Sequence, residues 1–233
     1  MRRRKTISEQ IWPKDASFNS LKAWQGDVGC IILRRVWAAY DDMDASILSR
    51  VDWSQAEDEI ERSLTAYHSL KIQERQTGDE PFILLPEMPE FETRQPAPAR
   101  SKAYDFGFVM RGGDYSMVWP IEAKVLKSDK KLAPYLRDLD DKFLKCKAAP
   151  FSHEGALIGY LLAGIPNVVF DGIAAHVGQL LFSVPAFSDR NHRTSNHRRD
   201  VPKDKPYPKN FLCHHLVMEL KASVNSAIFA RCN

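Results

Sequence analysis

Cysteine is scarce in this chain. None of the four, Cys30, Cys146, Cys213 and Cys232, forms a CxxC pair. That spacing excludes a disulfide framework and fits a reducing compartment. No apolar run approaches the length of a membrane helix. Met1-Arg2-Arg3-Arg4-Lys5 resembles the basic start of a signal peptide, but Thr6 to Ser20 is polar and supplies no apolar h-region. The expectation is a cytoplasmic protein with no membrane partner. A Gly-rich phosphate loop, a GxSxG turn and an internal repeat are all missing. No local signature supports a Cys or Ser nucleophile with a histidine base. Net charge is small, 33 Lys and Arg against 30 Asp and Glu, giving +3. The total therefore points to no partner, and the distribution says more.

Basic residues gather in two places. One is the arm at Arg2 to Lys5. The other is the run Arg190, His192, Arg193, His197, Arg198, Arg199, Lys203, Lys205 and Lys209. Both suit phosphates, and both equally suit a solvated tail and loop. At 44% hydrophobic residues, 233 residues can build a substantial core.

The most informative stretch is Tyr104-Asp105-Phe106-Gly107-Phe108-Val109-Met110, followed by Val118-Trp119-Pro120-Ile121-Glu122-Ala123-Lys124-Val125-Leu126. Both runs are short and rich in β-branched and aromatic residues. Arg111-Gly112-Gly113-Asp114 between them reads as a turn, so the pair reads as a hairpin. Side chains alternate along a strand, so Glu122 and Lys124 share a face, roughly 7 Å apart. A hairpin can bring Asp105 beside Glu122. Two carboxylates on adjacent strands suit Mg²⁺, which takes a few carboxylates and keeps several waters. A lysine at the edge of such a patch can orient or deprotonate a water and offset phosphate charge. The same residues also fit an ion-paired, solvent-facing strand pair.

Upstream, apolar residues at three- and four-residue steps predict a helix over Asn19–Tyr40 and a short one over Asp44–Arg50. Another runs from Ser54 to about Lys71, its inward stripe marked by Trp53, Ile60, Leu64 and Tyr67 or His68. Glu57 lies on that stripe, where a carboxylate wants a partner or a metal. Ser54-x-x-Glu57 is also a capping box, which would turn Glu57 back to its own helix start. Glu61 is the substitute. Pro81–Pro86 reads as a first strand, and prolines 89, 96 and 98 mark a loop.

Downstream, Pro134–Lys147 reads as a helix whose Lys142 either reaches a phosphate or snorkels to solvent. Ala156–Gly164 fits a strand or a buried helix. Val168–Val177 reads as helical, Gln179–Val184 as a strand and 186–209 as a basic loop. Phe211–Met218 is a strand or the start of a last helix, with His214 and His215 one in and one out. His192, His197 and Cys213-His214-His215 can be assembled into a zinc site, but their spacing fits no common finger.

Glu57, Asp105 and Glu122-Ala123-Lys124 together resemble the motif of the PD-(D/E)xK nuclease superfamily. In that family a helix glutamate precedes a strand aspartate and then an ExK strand. The resemblance covers residues 53–185. The motif's proline is absent before Asp105, and Pro120 inside the ExK strand argues for an edge position or a bulge. The resemblance implies an α/β, restriction-endonuclease-like three-layer core: a mixed central sheet flanked by helices, with extra N-terminal helices. The chain then divides into a basic arm (1–16), an N-terminal helical extension (17–52) and a nuclease-like domain (53–233).

The resemblance also implies roles. Asp105, Glu122 and Glu57 would hold Mg²⁺ or Mn²⁺, with the residue 123 carbonyl a further ligand. Lys124 would position or activate the attacking water. DNA, more than RNA, would be the substrate, contacted by Lys142, His197, Arg198 and Arg199 with steep salt dependence. The expected activity is a metal-dependent deoxyribonuclease, an effector of antiviral defence, with the N-terminal helices docking a protein partner and a homodimer allowed. The rival is a catalytically inactive subunit of the same fold, binding nucleic acid or assembling a complex.

Overall fold

The computed structural model describes residues 28–43, 45–90, 92–93, 103–111 and 117–220. The basic arm, Leu21, Trp24, Gly112-Gly113-Asp114 of the expected turn and Cys232 lie outside these residues.

The alternating and apolar runs form strands as their composition requires. β1 (Phe82–Pro89), β2 (Ala103–Met110) and β3 (Val118–Leu126) make an antiparallel meander. β4 (Glu154–Leu161) joins β3 in parallel, and β7 (Asn210–Glu219) joins β4 in parallel. β6 (His192–Arg198) and the two-residue β5 (Phe182–Ser183) finish the sheet, antiparallel, in the order β1-β2-β3-β4-β7-β6-β5. This is an α/β fold on a seven-stranded mixed sheet. β4 is buried from Gly155 to Leu161 with no alternation, as expected of a parallel strand covered on both faces. Its sequence therefore reads equally as strand or buried helix, and burial on both faces is what selects the strand.

On one face lie α1 (Val28–Asp41), the short α2 (Ala45–Leu48) and α3 (Glu57–Glu74). Ile32, Leu33, Val36 and Trp37 of α1 and Ile60, Leu64 and Ile72 of α3 share one core with Phe106, Trp119, Ala123, Ile158 and Tyr160. The N-terminal helix thus packs in the same core as the sheet. His68 joins the layers: its Nε2 donates to Val36 O (2.9 Å), which leaves Nδ1 to accept from the Tyr160 hydroxyl (2.8 Å). On the other face lie α4 (Ala133–Asp138), a π-helical turn (Leu139–Leu144) and α5 (Pro166–Val177). They bury Tyr135, Leu139, Phe143, Val169 and Ile173 against Leu126, Leu157 and Val217. Among the described residues, no helix is long and apolar enough to cross a membrane.

Four expectations are corrected. Residues 186–209 are not a loop throughout, because His192–Arg198 forms β6. Gln179–Val184 shortens to a two-residue strand. Both His214 and His215 are inside, since both faces of β7 are covered. Pro120 marks neither an edge nor a bulge: β3 is interior, and its pairing with β2 runs without a break through Gly107↔Pro120 and Phe106↔Ile121. The parallel ladder with β4 begins at Ile121↔Ala156, so the missing Pro120 N–H costs no ladder bond. Gly155 gives the ring room. A Cβ there would lie 2.8 Å from Pro120 Cγ.

Candidate active site

The site forms where β2 and β3 part. Their ladder ends at Phe106↔Ile121, and beyond it the amides of Ala123 and Val125 have no strand partner. Two carboxylates take them. Asp105 Oδ2 accepts from Ala123 N (2.7 Å), and Glu61 Oε2 from Val125 N (3.1 Å). Both residues behind these amides are buried, so the bonds replace a missing ladder and keep the strand satisfied.

Lys124 lies in the same patch. Its ammonium donates to Glu61 Oε1 (2.5 Å) and Ala123 O (2.8 Å) and lies 3.4 Å from Asp138 Oδ2. Burial pulls the Lys124 pKa down, but Glu61, Asp105 and Asp138 more than offset it and hold the ammonium charged. Burial also raises Glu61, and Lys124 only partly reverses this. Glu122 points into the protein, 1% exposed. Lys142 donates to its Oε2 (2.6 Å) and lies 2.9 Å from Asp138 Oδ2. The other oxygen, Oε1, is buried with no hydrogen-bond partner. Burial, then the neighbouring Asp105 charge, push the Glu122 carboxyl up to about 8, against the pull of Lys142.

Four carboxylates (Glu61, Asp105, Glu122, Asp138) thus meet two ammonium groups. A groove of about 540 Å³ opens beside them, lined by Asp58, Glu61, Arg62, Thr65, Glu87 and Asp105 among others. Glu87 holds left-handed backbone at φ 50°.

Asp105, Glu122, Lys124 and Lys142 converge, and Glu57 does not. The helix starts at Glu57, with Ala56 as an N-cap that makes no side-chain bond, while Ser54 bonds Asp52 instead. There is therefore no capping box. Glu57 sits 41% exposed, 3.5 Å from Lys127. Glu61, one turn on, carries the helix carboxylate into the site. Asp138 was missed by sequence reasoning; its signal is the four-residue step to Lys142 on the predicted helix.

Arg199 cannot bind nucleic acid as expected, being 4% exposed and turned inward. Its five N–H groups meet five carbonyls, those of Phe143, Ala148, Ala149, Pro150 and Ser152. Lys142 reaches carboxylates rather than solvent. His197 and Arg198 line a separate groove with His153 and Phe211. Tracing Glu122↔Leu157↔His215↔Arg193 across the sheet puts His197 four residues further along and three strands over, roughly 20 Å from Glu122.

The histidines are bonded to one another and to their neighbours rather than arranged around a zinc ion. Trp37 Nε1 donates to His192 Nδ1 (3.4 Å), so His192 Nε2 donates to His214 Nδ1 (3.0 Å). Ser195 Oγ lies 2.6 Å from His197 Nε2 and 2.7 Å from His215 Nε2, and His215 Nδ1 lies 2.9 Å from the Tyr135 hydroxyl. Burial, then His197 and His214, lower the His215 pKa to about 3, which keeps it neutral.

Asp105 and Glu122 fit a divalent cation on one observation, the unpartnered Glu122 Oε1 facing excess negative charge. Among the described residues, no group of three or more His, Cys, Asp or Glu converges as a full ligand set. Mg²⁺ requires fewer, since it keeps several waters. Comparison with known protein families, with curated proteins and with solved structures finds no match.

Proposed function

We propose that this chain is a metal-dependent nuclease that hydrolyses phosphodiester bonds in DNA, with Mg²⁺ or Mn²⁺ held by Asp105 and Glu122. The observation that carries the reading is the unpartnered Glu122 Oε1 beside Asp105, in a cluster of four carboxylates against two lysines. A divalent cation there would satisfy that oxygen and favour the ionised form of the Glu122 carboxyl, which burial and Asp105 otherwise disfavour. The element order α3-β1-β2-β3-α4-β4, with β4 parallel to β3, agrees with the restriction-endonuclease-like core that the sequence motif suggests.

Bound there, the cation would polarise a phosphoryl oxygen and lower the pKa of an attacking water. The chain's own residues do the rest. Glu61 and Ala123 O fix the Lys124 ammonium, which donates to a water or a phosphate oxygen and offsets charge as the bond breaks. Asp105 gives Oδ2 to the Ala123 amide and lines the groove, where its other oxygen would serve the cation. The groove along α3 gives the substrate its approach.

The test is cleavage of plasmid and single-stranded DNA with Mg²⁺ or with EDTA. Asp105→Asn and Lys124→Met should each lower the rate by about 10²-fold or more. Glu61→Gln should impair cleavage, while Glu57→Gln should leave it near wild type. Metal-dependent cleavage that survives both Asp105→Asn and Lys124→Met rejects this centre. A second reading, a catalytically silent domain, is favoured by the Lys142 ammonium resting on Glu122. Retention of DNA without cleavage of any substrate supports it.

A further inference from the structure

We propose that Lys142 is a resident counter-ion that a divalent cation must displace from Glu122, so that this lysine sets how tightly the site takes metal. The inference rests on the metal reading above and concerns its regulation.

The geometry is specific. Lys142 Nζ lies 2.6 Å from Glu122 Oε2 and 2.9 Å from Asp138 Oδ2, and its side chain is 17% exposed. It is the one cation recorded in direct contact with Glu122 among the described residues. The groups around it come from three elements: Glu122 on β3, Asp138 on α4, and Asp105 on β2 acting through its charge on Glu122. Lys124, the second ammonium, is held away from Glu122 by Glu61 and the Ala123 carbonyl. A divalent cation on the free Glu122 oxygen would sit within a few ångströms of the Lys142 charge. At that range like charges repel strongly, and burial weakens the screening. Metal and ammonium therefore compete for one carboxylate.

The backbone equips Lys142 for the exchange. It stands in a π-helical turn, whose wider closure is shown by Lys147 N bonding Lys142 O five residues back (2.9 Å). Such turns recur at functional sites. The carbonyls that follow are held from outside the helix, Phe143 O by Arg199 and Leu144 O by Asp200 N. The turn is thus anchored on one side while the Lys142 side chain projects from the other. When it leaves Glu122, the ammonium keeps Asp138, one helical turn back, as its partner. From there it is free to meet a substrate phosphate.

The experiment is Mn²⁺ binding to the full chain without DNA, by calorimetry, comparing wild type with Lys142→Met, Lys142→Gln and Lys142→Arg. The two neutral variants should bind Mn²⁺ about tenfold more tightly or better, a shift of the size that outer-shell partners produce. Lys142→Arg keeps a cation in place and should bind no more tightly than wild type. Lys142→Gln keeps a donor for Glu122, so it separates loss of charge from loss of packing should Lys142→Met fold poorly. Mn²⁺ should also raise the melting temperature of Lys142→Gln more than that of wild type. Equal or weaker binding in a folded neutral variant makes Lys142 a brace and overturns the inference, while the metal reading stands. No Mn²⁺ binding by any of the four proteins overturns the metal reading, and the inference with it.

Discussion

Exchanging Arg199 for lysine keeps the charge and removes the shape, so it isolates what the guanidinium does. Arg199 donates from Nε to Phe143 O (2.8 Å), from Nη1 to Pro150 O (3.1 Å) and Ser152 O (2.6 Å), and from Nη2 to Ala148 O and Ala149 O (3.2 Å each). It also lies over the Phe211 ring, 4.7 Å from its centroid. Lysine has three donors and no planar fork, so at least two of the five bonds are lost. Phe143 O and Ala149 O keep the amides of Cys146 and Ser152, but a hydrogen bond from a charged group is worth about 1.5–3 kcal/mol, so the loss of two puts Arg199→Lys at about 3–6 kcal/mol. That is a large part of the roughly 5–15 kcal/mol that holds a domain folded. Urea denaturation should show it as a midpoint lowered by about 1 M or more. The exposed neighbour supplies the control, since Arg198→Lys should stay within about 0.5 kcal/mol of wild type. Arg199→Lys as stable as wild type would refute the reasoning. If that variant instead changed only the salt dependence of DNA binding, the nucleic-acid role would return.

Two further perturbations test the sheet and its helical cover. Burial lowers the His68 pKa to about 4, against the raising effect of Val36 O, so the unfolded chain takes a proton on this ring more readily than the folded one. The stability it contributes is complete above pH 6.5 and is lost as pH falls through 4, an interval worth about 3 kcal/mol. Thermal melts between pH 7 and pH 4 should show a steeper acid loss in wild type than in His68→Gln; equal slopes would contradict the assignment. Gly155→Ala should cost about 1–3 kcal/mol by overpacking, because the added Cβ meets Pro120 Cγ at 2.8 Å and Pro120 O at 3.0 Å. Adding Pro120→Ala should relieve only the ring's share of that cost, which denaturation of the double variant can read.

The hairpin carrying Asp105, Glu122 and Lys124 was legible because β-branched and aromatic residues bracket a glycine turn, and register follows from alternation. Of the two helix carboxylates named from the sequence, Glu61 reaches the patch and Glu57 lies one turn short of it. Ser54 looks like a cap in sequence, but Asp52 takes its hydroxyl and amide, and the helix begins later. β6 was hidden because His192, Thr194, Ser195 and His197 read as polar loop, while in the fold their side chains find partners on neighbouring strands or on each other: His192 with His214, Thr194 with Phe182 O, and Ser195 with His197 and His215. Arg199 misled for a similar reason. A basic residue in a basic run reads as surface, and only the chain path after the π turn shows five carbonyls converging on it. The π turn has no composition of its own, so a straight helix over 134–147 was the natural reading.

Residues of an active centre are commonly kept at the expense of stability, and replacing them often makes a protein sturdier. The parting of β2 and β3 reverses that expectation here. Asp105 and Glu61 stand in for an absent strand, so alanine at either position strands a buried main-chain amide. Drift away from either acid would then carry a structural penalty of its own, whatever chemistry the patch performs, and would still carry it in a descendant whose patch performs none.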